Sequence, residues 1–419
     1  MNINNQTIII GGGIVGATLA IKLAKAKMPV TLIDARPKMT EQDWKVKLSN
    51  RDARVYALSL SSINLLKEAD AWQYISDLDR KADYTQMHVW QPNGVGDLKF
   101  ADEHASNLLG SMVEPFVIDH ALFLAMQNEE VKPYLKVITG QKVTNLDWLG
   151  DSVGYQVTLK DKENEQRLCA KLVVGADGRG SFVRAQAGIQ LDTLDYKQTA
   201  ICCAIKTQKR HEATARQAML TTGTLALLPL ADITDEDIKN PQHWQSVVWT
   251  LPTYDALSLL TKDEAHIANE LAFATGYELG NIEKIESIAS FALNAQQAKT
   301  YISNNLVLVG DAAHGVHPLA GQGLNLGMLD VAALFKVLMD DYKRSCNKQW
   351  GLLQTLKKYE RQRRANNSIM MHGFSAINWI FAGYHTQLAP VQHLRSEAVN
   401  MVSKNRVLMN WFNKQASGL

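Results

Sequence analysis

The six residues Gly11–Gly16 constrain the fold of this chain more than any other part of its sequence. They follow a short apolar run, Thr7–Ile10, and precede residues 17–24, in which small and apolar side chains recur at helical spacing. Val30–Ile33 predicts a second strand. In such a strand–turn–helix–strand unit, the first glycine permits a tight turn and the second lets a pyrophosphate approach the backbone, while the third lets helix and strand pack closely.

This unit predicts a dinucleotide-binding site. Free N–H groups at the start of the helix would face the phosphate charge. Asp34 lies 23 residues after Gly11 and ends the second strand, where its carboxylate can accept hydrogen bonds from an adenosine ribose. A glycine-rich structural turn is the alternative, and the motif does not decide between FAD and NAD(P).

Two later segments repeat the pattern of an apolar strand that ends in glycine. Leu172–Val174 leads into Gly175-Ala176-Asp177-Gly178, and Leu306–Val309 leads into Gly310-Asp311. The carboxyl ends of parallel strands form the edge at which α/β proteins bind ligands. The Asp311 carboxylate is therefore predicted to hold sugar-like hydroxyls, such as the ribityl chain of a flavin. A helix-capping aspartate is the alternative.

Residues 317–330 read HPLAGQGLNLGMLD. The proline stiffens the backbone, two glycines let it lie against a flat ligand, and a helix is predicted to start near Leu324. The N-terminus of a helix carries roughly half a positive charge. That charge suits the N1–C2 edge of a reduced flavin ring, which is negative. Asn325 capping the helix is the alternative.

Composition excludes several classes of protein. With 46% hydrophobic and 21% charged residues the chain is globular and not intrinsically disordered. It has no run of about 18 apolar residues that could span a membrane. Its four cysteines have no CxxC spacing and predict reduced cytoplasmic thiols. His314 and His317 lack the carboxylate or cysteine partners of a metal site, so no metal is predicted.

The C-terminal segment is basic. Residues 346–419 hold ten Lys and Arg against two acidic residues, a net charge of +8, whereas the whole chain carries +2. Tryptophans and phenylalanines lie among these basic residues. The segment suits an anionic membrane surface, and charge reversal at Arg361, Arg363 and Arg364 would then weaken vesicle binding. The alternative is a helical tail with a basic outer face and a packed apolar face.

The glycine motifs together resemble a known family. Gly11–Gly16, Gly175–Ser181 with Arg184, and Gly310-Asp311 resemble the single-component (class A) flavoprotein aromatic hydroxylases. Residues 317–330, 54–59 and 361–383 resemble their ubiquinone-biosynthesis branch, the UbiH, UbiI and UbiF hydroxylases. The resemblance implies an α/β fold with a Rossmann-like FAD-binding domain of the p-hydroxybenzoate hydroxylase type. An inserted antiparallel-sheet substrate domain and a C-terminal helical region would complete it.

The strand and helix patterns along the chain agree with this domain organisation. Short alternating runs between residues 189 and 295 predict an antiparallel sheet, which residues 84–100 would join, and the chain turns helical after residue 323. Only one GxGxxG lies between predicted strands, so NAD(P)H would visit briefly as electron donor. We expect an FAD-binding domain at 1–80, 106–188 and 296–345, a substrate domain at 81–105 and 189–295, and a helical region at 346–419.

The resemblance also implies roles for single residues. Asp177 would contact both flavin and nicotinamide, with a turn aspartate as the alternative, and Arg54 would lie near the flavin at the mouth of the site. Pro115 departs from the family, which usually has asparagine there. The predicted cofactor-binding residues are Gly11, Gly13, Ile14, Val15, Gly16, Asp34, Ala35, Arg36, Arg54, Asp177, Gly310, Asp311, Pro318, Gly321, Gly323, Leu324 and Asn325.

The implied reaction is hydroxylation of the aromatic ring of a polyprenylated phenol or benzoquinol by O2, through a flavin C4a-hydroperoxide. The chemistry belongs to the cofactor, so no catalytic side chain is named. A hydroxylase of a small soluble phenol and a non-catalytic flavoprotein subunit of a quinone-biosynthesis complex are the alternatives. We expect a cytoplasmic protein, peripheral on the inner face of the membrane, with no nucleic-acid partner. The ring carbon, the donor (NADH, NADPH or a protein), the prenyl length and the oligomeric state, a homo-oligomer included, stay open.

Overall fold

The computed structural model describes residues 7–92, 97–101, 108–161, 164–315, 322–346 and 350–381. Strands and helices are numbered along the chain. A six-stranded sheet has the order β18-β19-β12-β1-β2-β8, and its neighbours pair in parallel except at β18–β19. Its strands are β1 (Thr7–Ile10), β2 (Val30–Asp34), β8 (Leu135–Thr139), β12 (Leu172–Gly175), β18 (Ile302–Ser303) and β19 (Leu306–Leu308).

An eight-stranded sheet forms the second layer, with the order β20-β17-β13-β16-β15-β14-β5-β6. Its pairs are antiparallel except β5–β14. Its strands are β5 (Gln86–Trp90), β6 (Asp97–Ala101), β13 (Leu191–Thr207), β14 (Thr214–Leu220), β15 (Gly223–Pro229), β16 (Trp244–Pro252), β17 (Ile282–Ala298) and β20 (His314–Gly315).

Two three-stranded sheets were not predicted from the sequence. One has the order β3-β7-β4 and the other β11-β10-β9. Their strands are β3 (Tyr56–Ser59), β4 (Lys81–Tyr84) and β7 (Gly110–Val113), and β9 (Lys142–Trp148), β10 (Tyr155–Asp161) and β11 (Asn164–Ala170). β5 and β6 join the large sheet, whereas β4 pairs with β7.

The helices cover the sheets and form the C-terminal part of the described chain. They are α1 (Ile14–Lys25), α2 (Glu41–Leu48), α3 (Leu60–Glu68), α4 (Trp72–Asp77), α5 (Pro115–Ala125), α6 (Phe182–Gln186), α7 (Asp235–Lys239), α8 (Thr253–Leu259), α9 (Glu264–Ala274), α10 (Gln322–Arg344) and α11 (Leu353–Phe381). Pro115, the departure from the family pattern, opens α5, a position that suits proline because no helical N–H bond is lost there.

The predicted fold class is confirmed. The parallel sheet with its helices is the Rossmann-like part, the large sheet is mainly antiparallel, and α10 and α11 form the helical part. The residue boundaries of the three expected domains stay a prediction.

The two faces of the large sheet differ. On β13, Ile201, Cys203 and Ile205 belong to an apolar core that also contains residues of α8 and α9. The alternate residues Ala200 and Cys202 face the opposite side. This alternation gives the sheet one face for its own helices and another, lined by small side chains, that faces the rest of the molecule.

A buried histidine lies in the connection between β13 and β14. The Nδ1 atom of His211 accepts a hydrogen bond from the Ala213 N–H at 3.1 Å, which requires an unprotonated Nδ1. Burial and the charge of Arg216 lower the pKa of His211 to about 4. Because the folded pKa lies below the unfolded value, the folded state favours neutral imidazole.

We predict that His211 makes the fold sensitive to mild acid. The stability from its neutral form is complete above the unfolded pKa of about 6.5 and is lost as the pH falls toward 4. Between about pH 7.5 and about pH 5 the loss is roughly 2 kcal/mol. His211→Asn, whose amide oxygen can replace Nδ1 as acceptor, should remove this part of the pH dependence. Urea denaturation at both pH values measures it, and equal pH dependence in the two proteins would contradict the assignment.

Candidate active site

The three glycine turns predicted from the sequence meet at one edge of the parallel sheet. β1, β12 and β19 are neighbours and run in the same direction, so the segments after them emerge side by side. A Cβ atom added to Gly11 would overlap the carbonyl oxygen of Ala176, and one added to Gly310 would lie 3.3 Å from Val15. The positive φ of Gly11, 107°, also favours glycine.

The first turn has the shape of a phosphate cradle. A Cβ atom on Gly16 would overlap the Gly11 carbonyl oxygen, so helix α1 packs closely on the turn. A Cβ atom on Gly13 would meet no atom of the described chain within 4 Å. Gly13 is the N-cap of α1, and none of the described side chains caps that helix end. Open space beside an uncapped helix N-terminus fits the pyrophosphate of FAD.

The backbone of Ile14 and Val15 presents this helix end, while their side chains pack inward. Ile14 is buried in the main core. Val15 lies against two other glycines, because Cβ atoms added to Gly310 and Gly327 would lie 3.3 Å and 2.8 Å from it. These two residues could therefore contact a phosphate only through their N–H groups.

Asp34 ends β2 beside the glycine turn, and its carboxylate is occupied by Arg36. It accepts hydrogen bonds from the Arg36 backbone N–H at 2.8 Å and from the guanidinium at 2.7 Å. Arg36 also donates to the Gly12 carbonyl oxygen at 2.8 Å and pairs with Asp119 at 3.2 Å. These partners raise the pKa of Arg36. For a ribose to bind at Asp34 and Ala35, Arg36 must therefore give up some of its hydrogen bonds to the Asp34 carboxylate.

Asp177 in the second turn has the contacts of a helix-capping residue. Its carboxylate accepts hydrogen bonds from Ser181 Oγ at 2.5 Å and from the Val183 N–H at 3.0 Å, at the start of α6. Arg184 follows and donates to the Ala312 carbonyl oxygen at 2.8 Å, which ties this turn to the third. The pattern matches the structural alternative for Asp177, and its contact with flavin and nicotinamide stays a prediction.

Asp311 presents an exposed carboxylate in the third turn. Its side chain is accessible to solvent, and none of the described residues donates a hydrogen bond to the carboxylate. The surrounding protein nevertheless raises its pKa by desolvation, which the charges of His314 and Arg179 oppose. An accessible carboxylate without a donor among the described residues fits a hydroxyl-bearing ligand.

The start of α10 is anchored by Asn325. Its Oδ1 atom accepts hydrogen bonds from the Ser59 N–H at 3.0 Å and Ser62 Oγ at 2.7 Å, and its Nδ2 atom donates to the Ala57 carbonyl oxygen at 2.8 Å. The buried side chain therefore neither caps the helix nor faces a ligand, which leaves its backbone for the predicted contact.

Of the other predicted residues in this segment, the structure describes Gly323 and Leu324. A Cβ atom on Gly323 would meet no described atom within 4 Å, as a flat ligand against the backbone would need. Leu324 is buried in the main core. Pro318 and Gly321 lie outside the described residues.

A buried apolar cluster lies on the small-residue face of the large sheet. We call it the apolar wall; it consists of Ala53, Ala200, Cys202 and Leu293, with Tyr196, Val248 and Ala289 at its margin. The guanidinium carbon of exposed Arg54 lies 4.8 Å from the centre of the Phe291 ring. Burial raises the pKa of Cys202 to about 11, so its thiol is neutral.

Tyr56 senses the charges of both Arg54 and Asp311 and was not predicted. Burial raises the pKa of its phenol, and the charges of Arg54 and Asp311 act on it in opposite directions. Arg54 and Asp311 therefore lie within electrostatic reach of one side chain. Asp119 was also missed, because its partner Arg36 is distant in sequence and no spacing rule connects them.

Two further observations concern other ligands and membranes. Within the described ranges, no group of three or more His, Cys, Asp or Glu side chains is arranged to hold a metal ion. None of the helices in those ranges is long and apolar enough to cross a bilayer.

Comparisons with known proteins agree with the geometry. A family model described as an FAD binding domain matches residues 4–372. The chain is 32% identical to the 3-demethoxyubiquinol 3-hydroxylase of Escherichia coli K12, over 99% of this chain and 98% of the relative. It is 31% identical to the ubiquinone hydroxylase UbiL of Rhodospirillum rubrum, over 99% of this chain and 89% of the relative.

The fold has solved counterparts. The p-nitrophenol 4-monooxygenase of Pseudomonas putida DLL-E4 superposes with a TM-score of 0.72 at 16% identity, over 99% of both chains. At this identity the likeness concerns the fold alone.

The two sheets and the converging turns have the fold of that monooxygenase. The chain belongs to the FAD-binding family matched over residues 4–372, and its predicted membership of that family is confirmed. It is an FAD-dependent aromatic-ring monooxygenase that uses O2, and NAD(P)H is the electron donor typical of the family. The assignment of single residues to FAD stays a prediction.

We predict that two glycine substitutions in the first turn separate cofactor binding from folding. Gly13→Ala places a methyl group in open space, so the apoprotein should keep its stability within about 0.5 kcal/mol, while FAD affinity falls by roughly ten-fold. Gly16→Ala forces overlap with the Gly11 carbonyl and should cost the apoprotein about 1–3 kcal/mol. Flavin-fluorescence titration and urea denaturation measure the two effects. Wild-type FAD affinity in Gly13→Ala would show that the cradle is elsewhere.

Proposed function

We propose that this monooxygenase hydroxylates the ring of a polyprenylated phenol or benzoquinol intermediate of ubiquinone biosynthesis. The observation that carries the proposal is 32% identity, over 99% of this chain, to a 3-demethoxyubiquinol 3-hydroxylase. Similarity to UbiL of Rhodospirillum rubrum supports the same class of substrate. FAD, when bound, supplies the oxygen-activating and redox chemistry of the reaction.

The residues of the first and third turns would hold the cofactor. The uncapped start of α1 beside Gly13 suits the pyrophosphate, and Asp311 suits the ribityl hydroxyls. Asp34 and Arg36 suit the adenosine end of FAD, if the hydrogen bonds between these two side chains rearrange to admit the ribose. The N-terminus of α10, held against β3 by Asn325, would support the flavin ring with its positive end.

The apolar wall would receive the substrate ring. The side chains of Ala200 and Cys202 are small and buried, so a ring packed against them would be shielded from water. Arg54, seated over Phe291, is a cation at the wall's edge that can attract an electron-rich phenolic oxygen. The apolar wall suits an apolar ring, and the Arg54 cation suits the oxygen of that ring.

We predict that cells lacking this protein accumulate one quinone precursor, the one that lacks the hydroxyl group added by this enzyme. Wild-type protein should restore quinone synthesis, whereas Gly13→Val and Asp311→Ala, which are aimed at FAD binding, should not. Mass spectrometry of lipid extracts measures the precursor. Restoration by both variants would favour a non-catalytic subunit of a quinone-biosynthesis complex.

We expect the purified enzyme to prefer prenylated over unprenylated phenol by roughly ten-fold or more in kcat/KM, because burying an apolar tail contributes about 0.8 kcal/mol per CH2 group. Product formation in detergent micelles measures this ratio for matched phenols. Equal turnover would favour the soluble-phenol hydroxylase.

We further propose that α11 brings the protein to the membrane that holds such a substrate. The exposed face of α11 carries Lys357, Lys358, Arg361 and Arg364, and none of the described acidic side chains pairs with them. Arg363 differs from its neighbours. It is buried and paired with Asp330 at 2.6 Å, so the expectation that it belongs to the membrane-facing group was wrong.

Reversing the four exposed charges to Glu should weaken binding to anionic phospholipid vesicles by at least roughly ten-fold, since each basic residue near such a surface contributes about 1 kcal/mol. Vesicle co-sedimentation measures this. The control reverses Lys132, Lys136, Lys142 and Lys160, which are exposed elsewhere and change the net charge equally. Equal effects in both variants would mean that net charge, and not α11, drives the binding.

A further inference from the structure

One carboxylate joins three separate parts of the FAD-binding region. Asp330 in α10 has no exposed surface. Its Oδ2 atom accepts hydrogen bonds from the Gly310 N–H at 2.9 Å and from His314 Nε2 at 2.5 Å. Its Oδ1 atom accepts from Arg363 Nε at 2.6 Å and from Asn367 Nδ2 at 3.3 Å, both in α11.

The carboxylate is ionised despite its burial. Desolvation alone would raise its pKa, but the charges of His314 and Arg363 and their hydrogen bonds lower the pKa of Asp330 to about 2. An ionised carboxylate has no proton to donate, so both oxygens accept and His314 Nε2 carries the hydrogen. A buried pair of this kind is weak evidence for added stability, because desolvation offsets the attraction.

Its position suggests another role. Gly310 has a positive φ of 58° and directly precedes Asp311, so the bond from its N–H fixes the orientation of the third turn. Arg363 also donates to the Leu326 carbonyl oxygen at 3.3 Å and to Asn367 at 2.7 Å, which holds the guanidinium in place. The turn is therefore held by buried side chains of α10 and α11.

We propose that Asp330 is a positioning residue, which orients the Gly310–Asp311 turn for FAD and is itself held by Arg363 from the C-terminal helix. The inference rests on the proposed function, in which Asp311 contacts the ribityl chain. Arg363 thereby couples α11, whose other face carries the exposed basic residues, to the cofactor site.

The same helix offers a matched control. Asp341 is also a buried aspartate of α10 that is bonded to the α11 region, through Thr355 Oγ1 at 2.7 Å and the Leu352 N–H at 3.2 Å. It lies eleven residues beyond Asp330, about 16 Å along the helix. Asp341→Asn should therefore loosen the contact between the two helices without reaching the turn.

The test compares Asp330→Asn with Asp341→Asn in the full chain. An asparagine offers one acceptor oxygen, so it cannot serve both the Gly310 side and the Arg363 side. We expect Asp330→Asn to weaken FAD binding by roughly ten-fold, and Asp341→Asn to change it by less than about two-fold. In the apoproteins, hydrogen exchange of a peptide covering 306–315 should be faster only in Asp330→Asn.

Equal FAD affinities, or equal exchange, in the two variants would overturn the inference. If Asp330→Asn does not fold, Arg363→Lys decides instead, because it keeps the charge but loses the second guanidinium nitrogen. About three-fold weaker FAD binding is then expected, and wild-type affinity would overturn the inference. If Asp311→Ala binds FAD as tightly as the wild type, FAD does not contact Asp311. That result would contradict the proposed function and not the role of Asp330.

Discussion

The close approach of three backbone turns at one edge of the parallel sheet is the constraint on which the rest of the structure depends. Gly11 and Gly16 leave no space for a Cβ atom, because the carbonyl oxygens of Ala176 and Gly11 occupy it. Val15 fills the gap toward Gly310. These contacts fix the distances between the strand ends that carry the uncapped start of α1 and the carboxylate of Asp311.

The second sheet is attached to this edge by direct hydrogen bonds. Gln296, near the end of β17, donates to the carbonyl oxygens of Arg179 and Asp311 at 3.1 Å. β17 also pairs with β20, which follows the third turn. Leu293 of the apolar wall lies on the same strand as Gln296. Water exclusion and substrate position would both come from this attachment.

Buried charged side chains organise the region around the third turn. Asp330 accepts hydrogen bonds from the third turn, from His314 and from α11. The C-terminal helix therefore supports the third turn, although its outer face is basic and exposed. Arg36 plays a different part in front, where it bridges Asp34 and Asp119 across the glycine turn. The bonds of Asp330 would keep the third turn rigid, whereas the bonds of Arg36 would rearrange when the cofactor binds.

The sequence by itself determined the βαβ unit, the three glycine turns and the FAD-binding family, because strand periodicity and glycine spacing are local properties of the chain. It did not reveal the two three-stranded sheets, the occupation of Asp34 by Arg36, or the burial of Arg363 among exposed basic neighbours. Each of these depends on partners far apart in sequence. Only the tertiary structure decided which arginine is buried, because a charge leaves water only where a distant carboxylate meets it.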